Sequence, residues 1–350
     1  MTVASPIRPR TAELSLLEHS LKEICKEFPL FDTRKFLDRV RNQGAAHSME
    51  ACGSASLWAC LNAAIALSAH AKIANSSFGE LSPFVWAYFK NVYATFPELF
   101  LHGNDVDTVR ALVLIALFGR NSADARTTLL LLSTALRLSQ TLDLRSCTAV
   151  ELEDARRASW AAFVLDAELS LCYGVAPALG AGNIELDLPS HENLDGGHEA
   201  CAGFRWRAEL ALIHSAVRAR LYSREAFNMP KSELIGTIVT LDQTLEDWRR
   251  KISLVEQPGF IRGSLELHSV ILHLAFHNLT SMVHLAARRH SAWHVATQGR
   301  PEERSLSVIT LSRLKVQAAA QHTLRLLRQS PFEQFAQFWY ECSLDIEGPN

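Results

Sequence analysis

RRASWAAFVLDAELSLCYGVAPALGAGNIELDLP, Arg156–Pro189, decides how the chain is read. Its first half has the periodicity of a helix, with Trp160, Phe163, Leu165, Leu169 and Leu171 supplying the apolar mass. Gly174 can take the positive-φ geometry that stops a helix. The extended run NIELDLP follows, and Pro189 ends it. The stretch carries no cysteine pair and no nucleophile elbow of the form GxSxG. GAGN at 180–183 fits neither the dinucleotide-binding nor the phosphate-loop spacing. The reading is a packing segment rather than a reaction centre.

The rest of the chain supports a helical scaffold. It has 350 residues, 48% of them hydrophobic and 21% charged, the balance of a folded protein. The formal net charge is −2, whereas a domain that grips nucleic acid by neutralising phosphates carries a basic excess. The local basic groups, Arg8 with Arg10, Arg249–Lys251 and Arg288–Arg289, are short and read as solvated faces. Cys25, Cys52, Cys60, Cys147, Cys172, Cys201 and Cys342 are odd in number and contain no CxxC pair. They read as reduced thiols rather than a disulfide framework or a zinc site. The N-terminal sequence has no long apolar run, so no secretory signal is expected. The most apolar stretches, Ala111–Gly119 and Leu129–Leu136, fall short of the ~20 residues that span a bilayer, and no membrane partner is expected.

Residues 1–12 read as a flexible tail, and 13–350 as a single all-α domain of about ten to twelve helices, with a loop hinge at 188–202. Asp32 is a plausible N-cap. Ser56–Ala71 is apolar nearly all round and reads as a buried helix. Further helices are predicted at Pro83–Tyr93, Asp105–Phe118, Ala123–Leu142, Ala149–Tyr173, Phe204–Phe227, Ser232–Val255, Ser264–Trp293 and Ser305–Gln329. Breakers fall at 102–104, 188–199, 257–260 and 297–303.

Two groups of side chains are of a type that could carry chemistry. His273 and His277 are four apart and share a helical face, with His284 roughly in line, so they are weak candidates for a metal. His268, His290 and His294 lie in the same stretch, and Glu266 is near that face, but no HExxH occurs. The alternative is a set of half-buried histidines on an amphipathic helix. Glu151, Glu153 and Asp154 sit near a helix start, where the helix dipole favours negative charge. Asp166 is too far from Arg156 to pair with it directly and is expected to be a buried acid paired with an arginine of another helix.

Taken together, Ala125–Leu144 (ARTTLLLLSTALRLSQTLDL) and Glu151–Pro189 carry a resemblance. They are similar to the regulatory middle homology region of fungal zinc-cluster transcription factors. That family's pattern is an Ala-Ile-Arg-Leu-Ala helix ending in Leu-Gly-Leu, an acidic run and Arg-Arg-x-x-Trp. An aspartate follows, then a Gly-Arg-Pro turn leading to Ile-Asp-x-x-Leu-Pro. Here Arg137, Arg156, Arg157, Trp160, Asp166, Gly174, Ile184, Leu188 and Pro189 fall in that order. Trp58–Ala69, Tyr88–Phe100 and Leu272–Arg289 match the family's habits as well, so the resemblance covers about residues 30–290. The departures are Asp143 for the glycine, Ala167 for a basic residue, and Val175 and Ala176 for the arginine and proline after the turn glycine. These weigh against ion pairs made by arginines at those places. The family's DNA-binding module, six cysteines at CxxC-type spacing near the N-terminus, is not found in the sequence.

The resemblance implies a transcription regulator of a fungal metabolic or secondary-metabolite gene set, located in the nucleus. Lacking its own zinc cluster, it would act through a DNA-binding partner protein, a homo- or heterodimer, or a small-molecule effector, and not by binding DNA alone. A chain that has lost an upstream exon fits the same reading. No catalytic residue and no cofactor is implied. The rival expectations are an enzyme using His273, His277 and Asp166 around an apolar cavity, and a pure interaction scaffold.

Overall fold

The computed structural model describes residues 28–43, 54–76, 78–120, 125–190, 198–255, 267–289 and 303–329, with scattered helical residues between 17 and 27. The tail at 1–12, loop residues 191–197, Cys52, Cys342, Glu266, His290, His294 and the breakers at 257–260 and 297–302 lie outside the described residues. The described residues are all-α, without a strand. From Thr33 on, the helices are α1 (Thr33–Gln43), α2 (Ala55–Ser76), α3 (Phe78–His102), α4 (Val106–Arg120), α5 (Ala125–Ser139), α6 (Ala149–Cys172), α7 (His198–Leu221), α8 (Arg224–Phe227), α9 (Lys231–Val255), α10 (Leu267–Leu285) and α11 (Glu303–Gln329). Short 3₁₀ turns occur at Ala181–Asn183 and Ala286–Arg289.

The chain divides into two compact units: Met1–Asp166 with Asn183–Ala208, and Ala167–Gly182 with Glu209–Asn350. In the first unit α4 is the hub, packing against both α2 and α5. Every side chain from Ala111 to Leu117 is buried, so α4 has no solvent face to mark it as amphipathic. α2 behaves alike, as its all-round apolarity predicts. Gly119 lets α5 approach, because a Cβ there would meet Thr128 Oγ1 at 2.5 Å. Polar caps fix where the helices begin. Asp32 accepts from Lys35 N–H at 3.0 Å, as predicted. Asp105 accepts from Thr108 N–H at 2.7 Å and from the Ser56 hydroxyl at 2.7 Å, tying the start of α4 to α2. Thr148 and Glu151 cap α6 reciprocally: Thr148 N–H donates to Glu151 Oε2 at 2.8 Å and Glu151 N–H to Thr148 Oγ1 at 3.3 Å.

In the second unit α10 packs against α9 and α11. Val270, Ile271 and Leu274 form its core with Leu326 and Leu327. Ser269–Arg289, unlike the shorter runs at Ala111–Gly119 and Leu129–Leu136, is long and apolar enough to cross a membrane, but most of it is buried as a core helix is.

Three elements differ from the sequence reading. α3 runs from Phe78 to His102 rather than Pro83 to Tyr93. Pro97 breaks the periodic signal, but it sits on the exposed side, while Val92, Thr95 and Leu99 stay buried and carry the helix through. The predicted Phe204–Phe227 helix starts earlier, at His198, and splits after Leu221. There Ser223 caps a new turn by accepting from Ala226 N–H at 3.1 Å. α5 stops at Ser139, short of Leu142, in a tight turn closed by Thr141 N–H on Leu138 O at 2.9 Å.

Candidate functional site

The two ends of Arg156–Pro189 meet in a clasp within the first unit. Arg156, Arg157 and Trp160 project from α6, and the extended strap Ile184–Ser190 returns beside them. Glu153 is the centre. Its Oε1 accepts from Arg157 Nε at 3.0 Å and from Ser190 N–H at 2.9 Å; its Oε2 accepts from Arg156 Nη1 at 2.9 Å. Trp160 donates its indole N–H to Asp187 O at 2.8 Å, and Arg156 Nη2 lies 3.5 Å from the Asp187 carboxylate. Arg205 of α7 donates to Pro189 O at 2.7 Å. Pro189 is buried, so the strap is held by its backbone as well as its side chains. A strap without ladder partners must satisfy its polar groups this way.

The other signature residues lie elsewhere. Arg137 is on the surface and donates to Gln140 Oε1 at 3.2 Å. Asp166 is buried, at 1% exposure, as expected. Gly174, in the second unit, has φ 67° and closes α6 in a Schellman motif: Val175 N–H reaches Ser170 O at 3.0 Å, and Gly174 N–H reaches Leu171 O at 3.4 Å. Arg218 donates to the carbonyls of Gly174 and Val175, both at 2.8 Å, and also to Tyr222 O. A guanidinium from α7 therefore meets the turn in which Val175 replaces the arginine of the family pattern.

Sequence reasoning missed Glu153, which it read only as a dipole-favoured acid. Its spacing of three and four residues from Arg156 and Arg157 was the available signal. Asp154, read likewise, pairs with Arg110 Nη2 at 3.1 Å. Arg110 also donates to Leu30 O at 2.6 Å and to Asp107 at 3.0 Å. Burial alone would raise Asp107, but Arg110 and Arg39 outweigh it and hold its carboxyl below the usual range. Beside it, burial pushes the Cys60 thiol far up, and that thiol donates to Asp107 O at 3.0 Å, the behaviour of a structural cysteine. A second buried knot joins Glu27 to Arg120 at 2.7 Å and to Arg207 at 2.9 Å. Burial opposes the charge on Glu27, yet the two guanidinium groups lower its pKa to about 2.

In the second unit His273 and His277 share a face of α10, as predicted. The ring of His277 stacks on His322 of α11, centroids 5.1 Å apart, and Phe276 stacks on Trp248 at 6.1 Å. Burial, then the neighbouring His322 and His273, lower His277 to about 4, and burial also lowers His273. Among the described residues no three His, Cys, Asp or Glu side chains converge as a metal site. His284, which the sequence placed roughly in line with them, makes a separate tie: it bridges Ser312 Oγ at 3.0 Å and Asp242 Oδ1 at 3.1 Å. Lys315 donates to Asp242 at 2.9 Å and to Glu246 at 3.1 Å. The order serine, histidine, aspartate is that of a hydrolytic triad, but Ser312 is 0% exposed and Asp242 is shared with Lys315. A hydroxyl sealed from solvent meets no substrate, so this is a tie between helices.

Residues 21–250, which include the clasp, match the family described as "Fungal specific transcription factor domain". Proteins described as "ABC-transporter-regulating transcription factor" from Aspergillus fumigatus and from Aspergillus oryzae are each 28% identical, covering 96% of this chain and 40% of the relative. The "Fusaridione A cluster transcription factor fsdR" of Fusarium heterosporum is 25% identical, covering 85% of this chain and 58% of its own length. The chain thus spans 40% of the length of the first two relatives and 58% of the third. No solved structure matches significantly.

Proposed function

We propose that this chain, which belongs to the fungal specific transcription factor domain family, is the regulatory region of a transcription regulator controlling a fungal metabolic or secondary-metabolite gene set. The observation that carries the reading is the family match over 21–250, which contains the Glu153 clasp. The relatives' names support the kind of target: one pair is named as regulating ABC transporters, and the third is named as the transcription factor of the fusaridione A cluster. The protein works in the nucleus. A formal charge of −2 favours action through a DNA-binding partner, a dimer or a small-molecule effector over a phosphate grip by these helices. The relatives are transcription factors by name and lend the enzyme reading no support.

Deleting the gene in its host and profiling transcripts tests this. The expected result is a coordinated change in a set of transporter or biosynthetic transcripts, with no metabolite piling up ahead of a blocked step. Unchanged transcripts together with an accumulating intermediate would overturn it in favour of an enzyme.

A further inference from the structure

One corner of the second unit gathers positive charge that no described residue balances. Arg218 and Arg220 end α7, Arg224 opens α8, and Arg288 and Arg289 close the 3₁₀ turn after α10. Tyr222 joins these elements. Its hydroxyl donates to Met282 O at 2.6 Å, its carbonyl accepts from Arg218, and its ring lies 5.8 Å from the Arg289 guanidinium. Among the described residues none of the five arginines has an ion-pair partner, and Glu225, exposed on α8, is the one acid between 218 and 228.

Arg289 is the least satisfied of them. The sequence reads it as part of a solvated face, but its guanidinium is half-buried and lies over the rings of Tyr222 and Phe227, the latter 4.8 Å away. Its Nε reaches Ala286 O at 3.4 Å and its Nη1 reaches Ala226 O at 3.5 Å, both long, and its Nη2 is buried without an acceptor among the described residues. Burial lowers the pKa of Arg289 and of Arg218. A guanidinium held only by carbonyls and ring faces lacks the counter-charge its fork fits best, a carboxylate. Phe227, 61% exposed, gives this cationic patch an apolar rim.

The chain itself holds the complement. Of the segments outside the described residues, 330–350 is the richest in acid: Glu333, Glu341, Asp345 and Glu347, with no Lys, Arg or His. Phe332, Phe335, Phe338, Trp339 and Tyr340 precede the last three acids. The segment follows α11, and α11 runs antiparallel to α10: Leu326 and Leu327 pack on the Val270 cluster, while Ser312 meets His284. Gln329 therefore lies beside the start of α10, about 28 Å from Arg289 at the rise of an α-helix. Glu341 is twelve residues beyond Gln329, an extended reach of about 40 Å. Along the way back α11 exposes Leu324, Leu314 and Leu311 in that order. Surface and segment share one order, apolar first and charge last.

We propose that residues 330–347 return along α11 and dock the carboxylates of Glu341, Asp345 and Glu347 on the arginine patch around Arg289. The contact is within one chain, so an effective concentration of about millimolar lets exposed ion pairs, each weak alone, hold it.

Cys342 lies inside the acidic run and gives the test a natural handle. In the full chain, Asn228→Cys sets a second thiol on the exposed end of α8, next to Phe227. Mild oxidation of dilute protein, followed by peptide mass spectrometry, reads a disulfide between positions 228 and 342, its rate normalised to the reaction of Cys342 with a small disulfide. The bond is expected to form. Arg224→Glu with Arg288→Glu, both exposed and outside the core, slows it about tenfold. Adding Glu341→Lys, Asp345→Lys and Glu347→Lys restores the rate. Absence of the bond would overturn the proposal, as would a rate indifferent to the arginine reversals or one that the charge swap fails to restore. A rate that rises with protein concentration would overturn it too, by showing capture from another molecule. The readout is a bond within one chain, not transcription, so such a failure leaves the regulator reading standing.

Discussion

The clasp on α6 and the tie among α9, α10 and α11 are both polar networks set in apolar surroundings, but their members are spaced differently along the chain. In the clasp, Glu153 reaches Arg156 and Arg157 three and four residues away, and only the returning strap, 37 residues on at Ser190, is distant. In the tie every link is distant: His284 to Ser312 spans 28 residues, His284 to Asp242 spans 42, and Lys315 to Asp242 spans 73. The clasp is half local, so its order of residues can be written into one stretch. The tie exists only once three helices have docked.

That contrast can be broken or sharpened by experiment. Glu153→Ala removes the acceptor shared by Arg156, Arg157 and the Ser190 N–H, and should cost about 3 kcal/mol, measured by urea unfolding. Acid should strike the two units in different ranges. The folded pKa of His277, about 4, lies below its ordinary 6.5, so the unfolded chain binds that proton more strongly. Its contribution is full above about 6.5 and fades as pH falls towards 4, a loss of about 2 kcal/mol once partial solvent exposure is allowed for. His277→Leu should flatten that limb of the pH–stability curve. Glu27 is also depressed, from 4.5 to about 2, so its contribution is present above 4.5 and fades only as pH falls towards 2. Asp242→Ala frees His284 from its acceptor while Lys315 keeps Glu246, and should cost about 1.5 kcal/mol in the same unfolding assay. Gly174→Ala forces a Cβ into φ 67° and should cost about 1 kcal/mol, with Schellman geometry otherwise kept.

Much of the fold was legible. α2 was readable as buried from its apolarity on all sides, and the caps at Asp32 and Gly174 were readable from residue type alone. α3 runs past its predicted end at Tyr93, because Thr95 and Leu99 continue its buried side while Pro97 is exposed. Of the clasp, Arg156, Arg157, Trp160 and Pro189 were singled out by order. Glu153 was not, because an acid near a helix start has an adequate local explanation that hides its tertiary one. His273 and His277 were rightly put on one face, but their ring partner His322 sits on another helix, which periodicity cannot supply. Ser312 and Asp242 gave no signal, since an isolated serine or aspartate on a helix looks like any solvated residue.

Hydrogen exchange at the Ser190 amide, compared between wild type and Glu153→Ala, tests most directly whether the opening stretch is a structural clasp. The account predicts a protected amide in the wild type and fast exchange at Ser190 in the variant, with protection in α10 and α11 unchanged. Equal protection of Ser190 in both proteins would contradict it.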